Sequence, residues 1–175
     1  MKIMKKKEKD ILVYSPADGK IVDIKKVPDE TFSQEMIGKG IAIKINSPYI
    51  YSPIKGKVEA AFRTGHAYGI KTKYGPSILL HIGVDTVALN GEGFLRLIMQ
   101  GEKVKPKSKL ARVNWEILKK AKSSETLVIA TNDSMEGYEI EMVAKIGQKV
   151  TKDDVLFKII EKKEKDKKEE KKDGN

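Results

Sequence analysis

The stretch Gly69–Val84 reads GIKTKYGPSILLHIGV, two apolar runs separated by a Lys-Tyr-Gly-Pro segment. The runs, Gly69–Thr72 and Ser77–Val84, are short and rich in Ile, Leu and Val, and the Gly-Pro pair between them marks a turn. The sequence therefore predicts a β-hairpin here.

Residues 11–160 repeat this pattern of short apolar or alternating runs broken by Gly, Pro, Asn or Asp. About ten such runs are typical of an antiparallel β-sandwich or barrel, and we expect an all-β fold. One helix is expected over Asn114–Ala121, and a second short helical turn near Gly93–Gln100. The other expected strands are Ile11–Tyr14, Gly19–Lys26, Gly40–Ile45, Lys57–Phe62, Lys109–Val113, Leu127–Ala130, Tyr138–Ala144 and Asp154–Ile160.

Two patterns occur twice in the chain. Ser-Pro-x-x-Gly-Lys begins at Ser15 and again at Ser52, and Gly-x-Lys-Val begins at Gly101 and again at Gly147. Each pattern sets a tight turn before a strand, so we expect four related corners in a barrel-sandwich with internal pseudo-repeats. Lipoyl and biotinyl carrier domains share such corners, and this alternative predicts a modification of Lys145 or of another hairpin lysine.

The length of 175 residues fits one domain, with a flexible basic N-terminus over residues 1–10, a single domain over 11–160 and a charged disordered tail over 161–175. The chain contains no cysteine, which excludes disulfides and thiolate chemistry. It has no secretory signal and no apolar run of the roughly 20 residues that cross a bilayer, so a cytoplasmic protein is expected.

The net charge is +10, of which +3 falls in the first ten residues and +1 in the last fifteen. The remainder is spread over the domain. A solvated lysine surface is favoured over nucleic-acid binding, because the lysines are not interleaved with aromatic residues along the sequence and arginine is scarce.

Only two histidines are present, His66 and His81. If Thr72 pairs with Ser77 across the hairpin, the histidines become diagonal neighbours on one face of the sheet, about 7–8 Å apart at the backbone. A register shift of one residue would move them to opposite faces.

Paired imidazoles allow several chemistries. A stable zinc site needs a third ligand, which the sequence does not supply next to the pair. Acid–base catalysis on a metabolite needs a deep pocket, whereas a hairpin lies on a sheet face. Phosphoryl transfer through a phosphohistidine needs one ring nitrogen as nucleophile and a second donor for the phosphoryl oxygens, which two adjacent histidines provide.

The segments around the histidines resemble a known family. The stretch from Gly75 through ILLHIGVDTV to Val87, together with Thr64–Tyr68 (TGHAY), is similar to the glucose-type enzyme IIA of the bacterial phosphoenolpyruvate-dependent sugar phosphotransferase system. The resemblance continues through the Ser15 turn, Val27–Phe32 and the Gly101 and Gly147 corners, and so covers about residues 11–160.

This resemblance implies a phosphotransferase in which His81 is the phosphoryl acceptor, through Nε2, and His66 stabilises the phosphoryl group. It implies that Thr64 orients His66, and that a backbone carbonyl near Gly83 holds the Nδ1–H tautomer of His81. Asp85 is expected to tune the site or to meet a partner.

The resemblance also implies partner proteins. HPr is the expected phosphoryl donor and the IIB domain of a sugar permease the expected acceptor, so membrane association would be indirect. No metal, cofactor or nucleic acid is implied. The alternative is a regulatory binding module of the same fold. The residues expected to form the docking surface are Phe32, Met36, Ile37, Phe62, Leu79 and Val87.

Overall fold

The computed structural model describes residues 10–163 and 171–174. Residues 10–163 form fourteen strands and two one-turn α-helices, α1 at Glu30–Ser33 and α2 at Trp115–Leu118, with 3₁₀ turns at Ile24–Lys26, Thr86–Leu89 and Asn132–Ser134. Residues 171–173 are helical. The strands are β1 Ile11–Tyr14, β2 Gly19–Val22, β3 Gly38–Ile45, β4 Tyr49–Tyr51, β5 Gly56–Ala61, β6 Ala67–Lys71, β7 Ser77–Val84, β8 Phe94–Arg96, β9 Lys103–Val104, β10 Lys109–Val113, β11 Ser123–Thr131, β12 Tyr138–Met142, β13 Lys149–Val150 and β14 Val155–Glu161.

The strands form three sheets in which neighbouring strands are antiparallel. An eight-stranded sheet has the order β13-β2-β3-β11-β7-β6-β5-β9, and two three-stranded sheets have the orders β1-β14-β12 and β4-β10-β8. The all-β sandwich expected from the sequence is confirmed.

Strand β7 shows how the sheet separates core from surface. Ile78, Leu80 and Ile82 are fully buried and share the main core with Ile50 of β4 and Leu110 of β10. The alternate residues of β7 point to the other face of the sheet, because side chains alternate along a strand. Leu79 and His81 therefore lie on the outer face of the eight-stranded sheet.

A second, smaller cluster lies on that outer face, formed by Val27, Phe32, Ala42, Val84, Leu127 and Ile129. Leu127 is paired both with His81 of β7 and with Ala42 of β3, so the cluster begins next to the histidine. The 3₁₀ turn at Ile24–Lys26 and helix α1 cover it, and α1 contributes the buried ring of Phe32.

The repeated Ser-Pro corners have the same hydrogen bonds. The Ser15 hydroxyl donates to the carbonyl of Ala17 at 2.6 Å, and the Ser52 hydroxyl donates to that of Ile54 at 2.8 Å. The repeated Gly corners also match, since the amide of Gly101 bonds to β5 at 2.8 Å and that of Gly147 bonds to β2 at 2.9 Å. The predicted pseudo-repeat is therefore present in the fold.

The predicted register of the β6–β7 hairpin was wrong by one residue. Lys71, not Thr72, pairs with Ser77. Thr72 instead bonds to the carbonyl of Pro76 through its amide, at 2.9 Å, and through its hydroxyl, at 2.8 Å. Proline has no N–H but still accepts hydrogen bonds, so Pro76 closes the hairpin instead of belonging to the turn.

Some expected elements also differ. The helical turn expected near Gly93–Gln100 is wrong, because Phe94–Arg96 pairs with β10 as a strand. The strand expected over Gly19–Lys26 ends at Val22, where the Asp23 side chain caps the following 3₁₀ turn. The expected helix is shorter than Asn114–Ala121, and Asn114 is its N-cap.

The chain termini fall mostly outside the described residues. The basic segment expected to be flexible includes residues 1–9, and the tail expected to be disordered includes 164–170 and 175, none of which the structure describes. Strand β14 continues to Glu161, one residue beyond the expected end of the domain. The division into three regions stays a prediction.

Candidate functional site

The two histidine side chains meet on the outer face of the eight-stranded sheet. Their ring centroids are 5.1 Å apart, with the rings nearly perpendicular at 78°. His81 lies within β7 opposite Ala67, and His66 directly precedes β6, with its carbonyl accepting from the Ile82 amide at 2.7 Å. Because His66 lies outside the strand, the one-residue register shift does not separate the pair.

The tautomer of His81 follows from its hydrogen bond. Nδ1 lies 2.7 Å from the carbonyl oxygen of Gly83. A carbonyl only accepts, so Nδ1 carries the proton and the neutral ring keeps its lone pair on Nε2. Gly83 has φ +73°, and a Cβ there would lie 2.4 Å from a methyl carbon of Thr86. This position therefore requires glycine.

The residues after Gly83 fix the end of β7. The buried hydroxyl of Thr86 donates to the carbonyl of Ile82 at 2.6 Å, which ties the 3₁₀ turn back to the strand. Asp85 is exposed between them with φ 61°, a left-handed conformation that Asp adopts more readily than most residues. Its carboxylate thus faces solvent at the rim of the site.

His66 is positioned by the turn before β6. The amide of Gly65 donates to the carbonyl of Phe62 at 2.8 Å, and Gly65 has φ +79°. Thr64 Oγ1 lies 2.5 Å from Nδ1 of His66. When the hydroxyl donates in this contact, the His66 proton resides on Nε2, where a ligand can accept it.

Burial keeps both histidines neutral near pH 7. His66 is only 4% exposed, and burial, followed by the nearby charge of His81, lowers its pKa from 6.5 to about 4. Burial also lowers the pKa of His81, opposed by its hydrogen bond to Gly83 and by the negative charge of Asp29. A neutral imidazole is required for nucleophilic attack, because the protonated ring has no free lone pair.

Asp29 is a site residue that the sequence analysis did not identify. Its carboxylate caps α1 by accepting from the amide of Thr31 at 2.8 Å, and it is the acid that acts on the pKa of His81. An acid before a short helix is a common capping pattern. Nothing in the local sequence indicates that this helix packs beside β7.

Two phenylalanine rings flank the histidines. The Phe32 ring centroid is 5.0 Å from that of His81, and the Phe62 centroid is 5.3 Å from that of His66. Phe32 is 5% exposed and belongs to the second cluster, whereas Phe62 is 48% exposed. Phe32 therefore lies against His81 from within the protein, and Phe62 presents apolar surface to solvent.

The other four residues expected to form a docking surface divide in the same way. Met36 and Val87 are largely exposed, at 64% and 52%. Ile37 and Leu79 are half-buried and pack against the second cluster. Of the six residues expected to form a docking surface, Met36, Phe62 and Val87 are thus the exposed ones.

A concavity of about 590 Å³ continues from Leu79 along the outer face of the sheet. Its walls include Gly69 and Lys71 of β6 and the acidic residues Glu59, Asp133 and Glu136. Lys71 forms an ion pair with Glu59 at 3.7 Å. The concavity therefore lies on the same face of the sheet as His81, which is two residues beyond Leu79 in β7.

The described residues hold no group of three or more His, Cys, Asp or Glu side chains that could bind a metal ion. Across 10–163 and 171–174, no helix is long and apolar enough to cross a membrane.

Comparison with known proteins yields a consistent set of matches. Residues 11–136 match the family described as phosphoenolpyruvate-dependent sugar phosphotransferase system, EIIA 1. The glucose-specific EIIA component of Mycoplasma capricolum is 40% identical over 141 residues, which cover 80% of this chain and 92% of the relative. That of Staphylococcus aureus is 42% identical over 129 residues, covering 73% and 78%.

A solved structure is also similar. The glucose permease IIA from Mycoplasma capricolum superimposes with a TM-score of 0.77 at 36% identity, covering 90% of this chain and 99% of that one.

Proposed function

Because the chain belongs to the EIIA 1 family of the phosphoenolpyruvate-dependent sugar phosphotransferase system, it is a phosphoryl-transfer component of that system, and we propose that His81 carries the phosphoryl group. The observation that supports this assignment is the hydrogen bond of 2.7 Å between Nδ1 of His81 and the Gly83 carbonyl. It leaves the lone pair of the neutral ring on Nε2, as a nucleophile requires.

The transfer from the donor exchanges one N–P bond for another. Nε2 of His81 attacks the phosphorus of a phosphohistidine on the donor, the bond between phosphorus and the donor nitrogen breaks, and its electron pair returns to the donor ring. The nucleophile of the acceptor then attacks the phosphorus on His81, the bond between phosphorus and Nε2 breaks, and its electron pair returns to the His81 ring. The transition states of phosphoryl transfer are loose, with the attacking and leaving atoms in line with the phosphorus. Alignment of these atoms and stabilisation of the phosphoryl charge therefore provide most of the catalysis.

His66 stabilises the phosphoryl group in this proposal. With Thr64 donating to Nδ1, the Nε2–H of His66 is free to donate to a phosphoryl oxygen on its neighbour. The low pKa of about 4 keeps His66 a neutral donor at physiological pH. His66 is therefore assigned to hold the phosphoryl group, not to accept it.

The donor is HPr and the acceptor is the IIB domain of a sugar permease, as expected for the family. Both dock on the exposed apolar residues Met36, Phe62 and Val87, which exclude water while the two reacting nitrogens align. Asp29 and Asp85 supply negative charge beside this surface. Since the named relatives are glucose-specific, glucose is the proposed sugar. A cytoplasmic location stays an expectation.

Phosphorylation with phosphoenolpyruvate, enzyme I and HPr tests these roles. In wild type we expect an acid-labile phosphoryl group on His81, located by mass spectrometry. His81→Gln should accept none, and His66→Gln should accept it but pass it slowly to a IIB domain. Thermal unfolding of each variant checks that it folds. A phosphoryl group on His66, or none on wild type with active partners, would refute the assignment.

A further inference from the structure

The segment that leads into β10 concentrates positive charge. Between residues 101 and 113 the chain has five cations and a single acid, Glu102. The cations are all exposed, and they are Lys103, Lys105, Lys107, Lys109 and Arg112. A large share of the charge of the folded domain is therefore gathered at one strand and the turn before it.

Two tyrosines lie beside these cations. On the sheet β4-β10-β8, Tyr49 is paired with Arg112 and Tyr51 with Lys109. The ammonium of Lys109 is 4.3 Å from the Tyr49 ring centroid, the guanidinium of Arg112 is 6.0 Å from it, and Lys152 is 5.7 Å from the Tyr51 ring. Aromatic rings and cations thus alternate on one outward surface.

Exposed aliphatic side chains extend this surface. Leu95 of β8 pairs with Arg112 and is 56% exposed, and the chain then continues through Leu97, 41% exposed, and Met99, 65% exposed. Strand β8 is the edge of its sheet. Apolar, aromatic and basic groups therefore meet on a single face, which we call the tyrosine face: Tyr49, Tyr51, Leu95, Lys109 and Arg112.

We propose that the tyrosine face docks on an anionic lipid bilayer. Such a surface attracts Lys and Arg to its headgroups, at about 1 kcal/mol for each cation near the membrane. Tyrosine rings settle at the boundary between headgroups and acyl chains, and exposed Leu and Met side chains lose contact with water there. An anionic bilayer therefore provides favourable contacts for the basic, the aromatic and the aliphatic side chains of the face.

Other anionic partners fit this composition less well. Lysine is depleted from protein–protein interfaces, whereas four of the five cations between residues 101 and 113 are lysines and one of them, Lys109, lies on the face. Protein surfaces that bind nucleic acid also combine cations with stacking aromatic residues. A nucleic acid is polar, however, and would not bury the exposed apolar side chains of Leu95, Leu97 and Met99. A bilayer is therefore the occupant that the face favours.

Docking through the tyrosine face would leave the two histidines accessible. The inward residues of this sheet, Ile50 and Leu110, share the main core with Leu80 of β7. His81 projects from the other face of β7, so the tyrosine face and the histidine pair lie on opposite sides of the sandwich. A chain docked on the membrane would present its histidines away from it, and this inference does not depend on their role.

Vesicle flotation tests the proposal with the full chain. Wild type should float with vesicles containing phosphatidylglycerol and not with pure phosphatidylcholine. Lys109→Gln with Arg112→Gln should weaken binding about thirtyfold, which corresponds to about 1 kcal/mol for each cation. Leu95→Ser with Leu97→Ser should weaken it severalfold. The matched control is Lys25→Gln with Lys26→Gln, which removes the same charge beside the second cluster and should have less than a threefold effect.

Three results would overturn the proposal. One is flotation that does not depend on the anionic lipid. Another is an equal loss in the control pair, which would mean that net charge alone acts. The third is that wild type does not float with anionic vesicles but binds a single-stranded oligonucleotide, and that this binding is lost in the Lys109→Gln, Arg112→Gln variant and kept in the Leu95→Ser, Leu97→Ser variant. Unchanged melting temperatures exclude unfolding, and the unaltered termini contribute equally in every variant.

Discussion

Acidification should destabilise the protein mainly through His66. The folded protein holds the pKa of this residue at about 4, against 6.5 when it is unconstrained. Between these values the unfolded chain binds a proton that the folded chain does not, so the free energy of unfolding falls as the pH falls. Two and a half pKa units correspond to a loss of about 3 kcal/mol between pH 7.5 and pH 4.

Urea unfolding at both pH values measures this loss, with the fluorescence of Trp115 as the signal. That side chain donates to the carbonyl of Ser47 at 2.8 Å and is partly buried, so unfolding changes its environment. Carboxyl groups also titrate near pH 4, and the informative quantity is therefore the difference between wild type and His66→Gln. The variant should lack about 3 kcal/mol of the drop, and keep the part due to His81, whose pKa is also lowered.

The reasoning fails if His66→Gln loses as much stability on acidification as wild type does. It also fails if the ring protons of His66 titrate near pH 6.5 in an NMR experiment on the folded protein. Either result would mean that water reaches the ring and that burial does not set its protonation.

Three substitutions test other parts of the structure. Gly83→Ala should lower the free energy of unfolding by about 2–4 kcal/mol, because the backbone is left-handed there and the added Cβ would overlap Thr86. Gly69→Ala should change it by less than about 1 kcal/mol, because a Cβ there would lie 3.6 Å from the Ala60 side chain. Similar losses for the two variants in urea unfolding would contradict this. Thr126→Val should raise the melting temperature, because this buried hydroxyl has no hydrogen-bond partner among the residues that the structure describes. Thr64→Val should slow transfer to IIB about fivefold, for a lost hydrogen bond of about 1 kcal/mol, and Thr64→Ser should not; equal rates, or an unchanged ¹⁵N tautomer signature of His66, would argue against its orienting role.

The corners of the fold were predictable because their causes are local. The hydroxyl of Ser15 closes a turn with the carbonyl two residues later, and Ser52 repeats the contact, so identical residues at identical spacing predict identical turns. The two-residue strands β9 and β13 were not predictable, because their pairing depends on what the rest of the fold places beside them.

The composition of the tyrosine face was also not predictable from the sequence, because it depends on strand pairing. Along the sequence the lysines are not interleaved with aromatic residues, although five cations fall between residues 101 and 113. Pairing of β4 with β10 brings Tyr49 next to Lys109 and Arg112, about sixty residues later in the chain. Surface composition thus follows strand pairing, which residue spacing alone does not determine.

The histidine site combines both situations. Each ring is held by a group two residues away, His66 by Thr64 and His81 by Gly83. Both contacts were expected from the resemblance to the family. The distance between the rings depends instead on the hairpin, whose register was wrong because the carbonyl of Pro76 closes it. The pair still meets, since His66 sits in a turn and is not bound to the alternation of β6. In a two-residue site, the local hydrogen bonds of each ring therefore set which nitrogen is available for chemistry, and the hairpin sets whether a second ring is there to assist it.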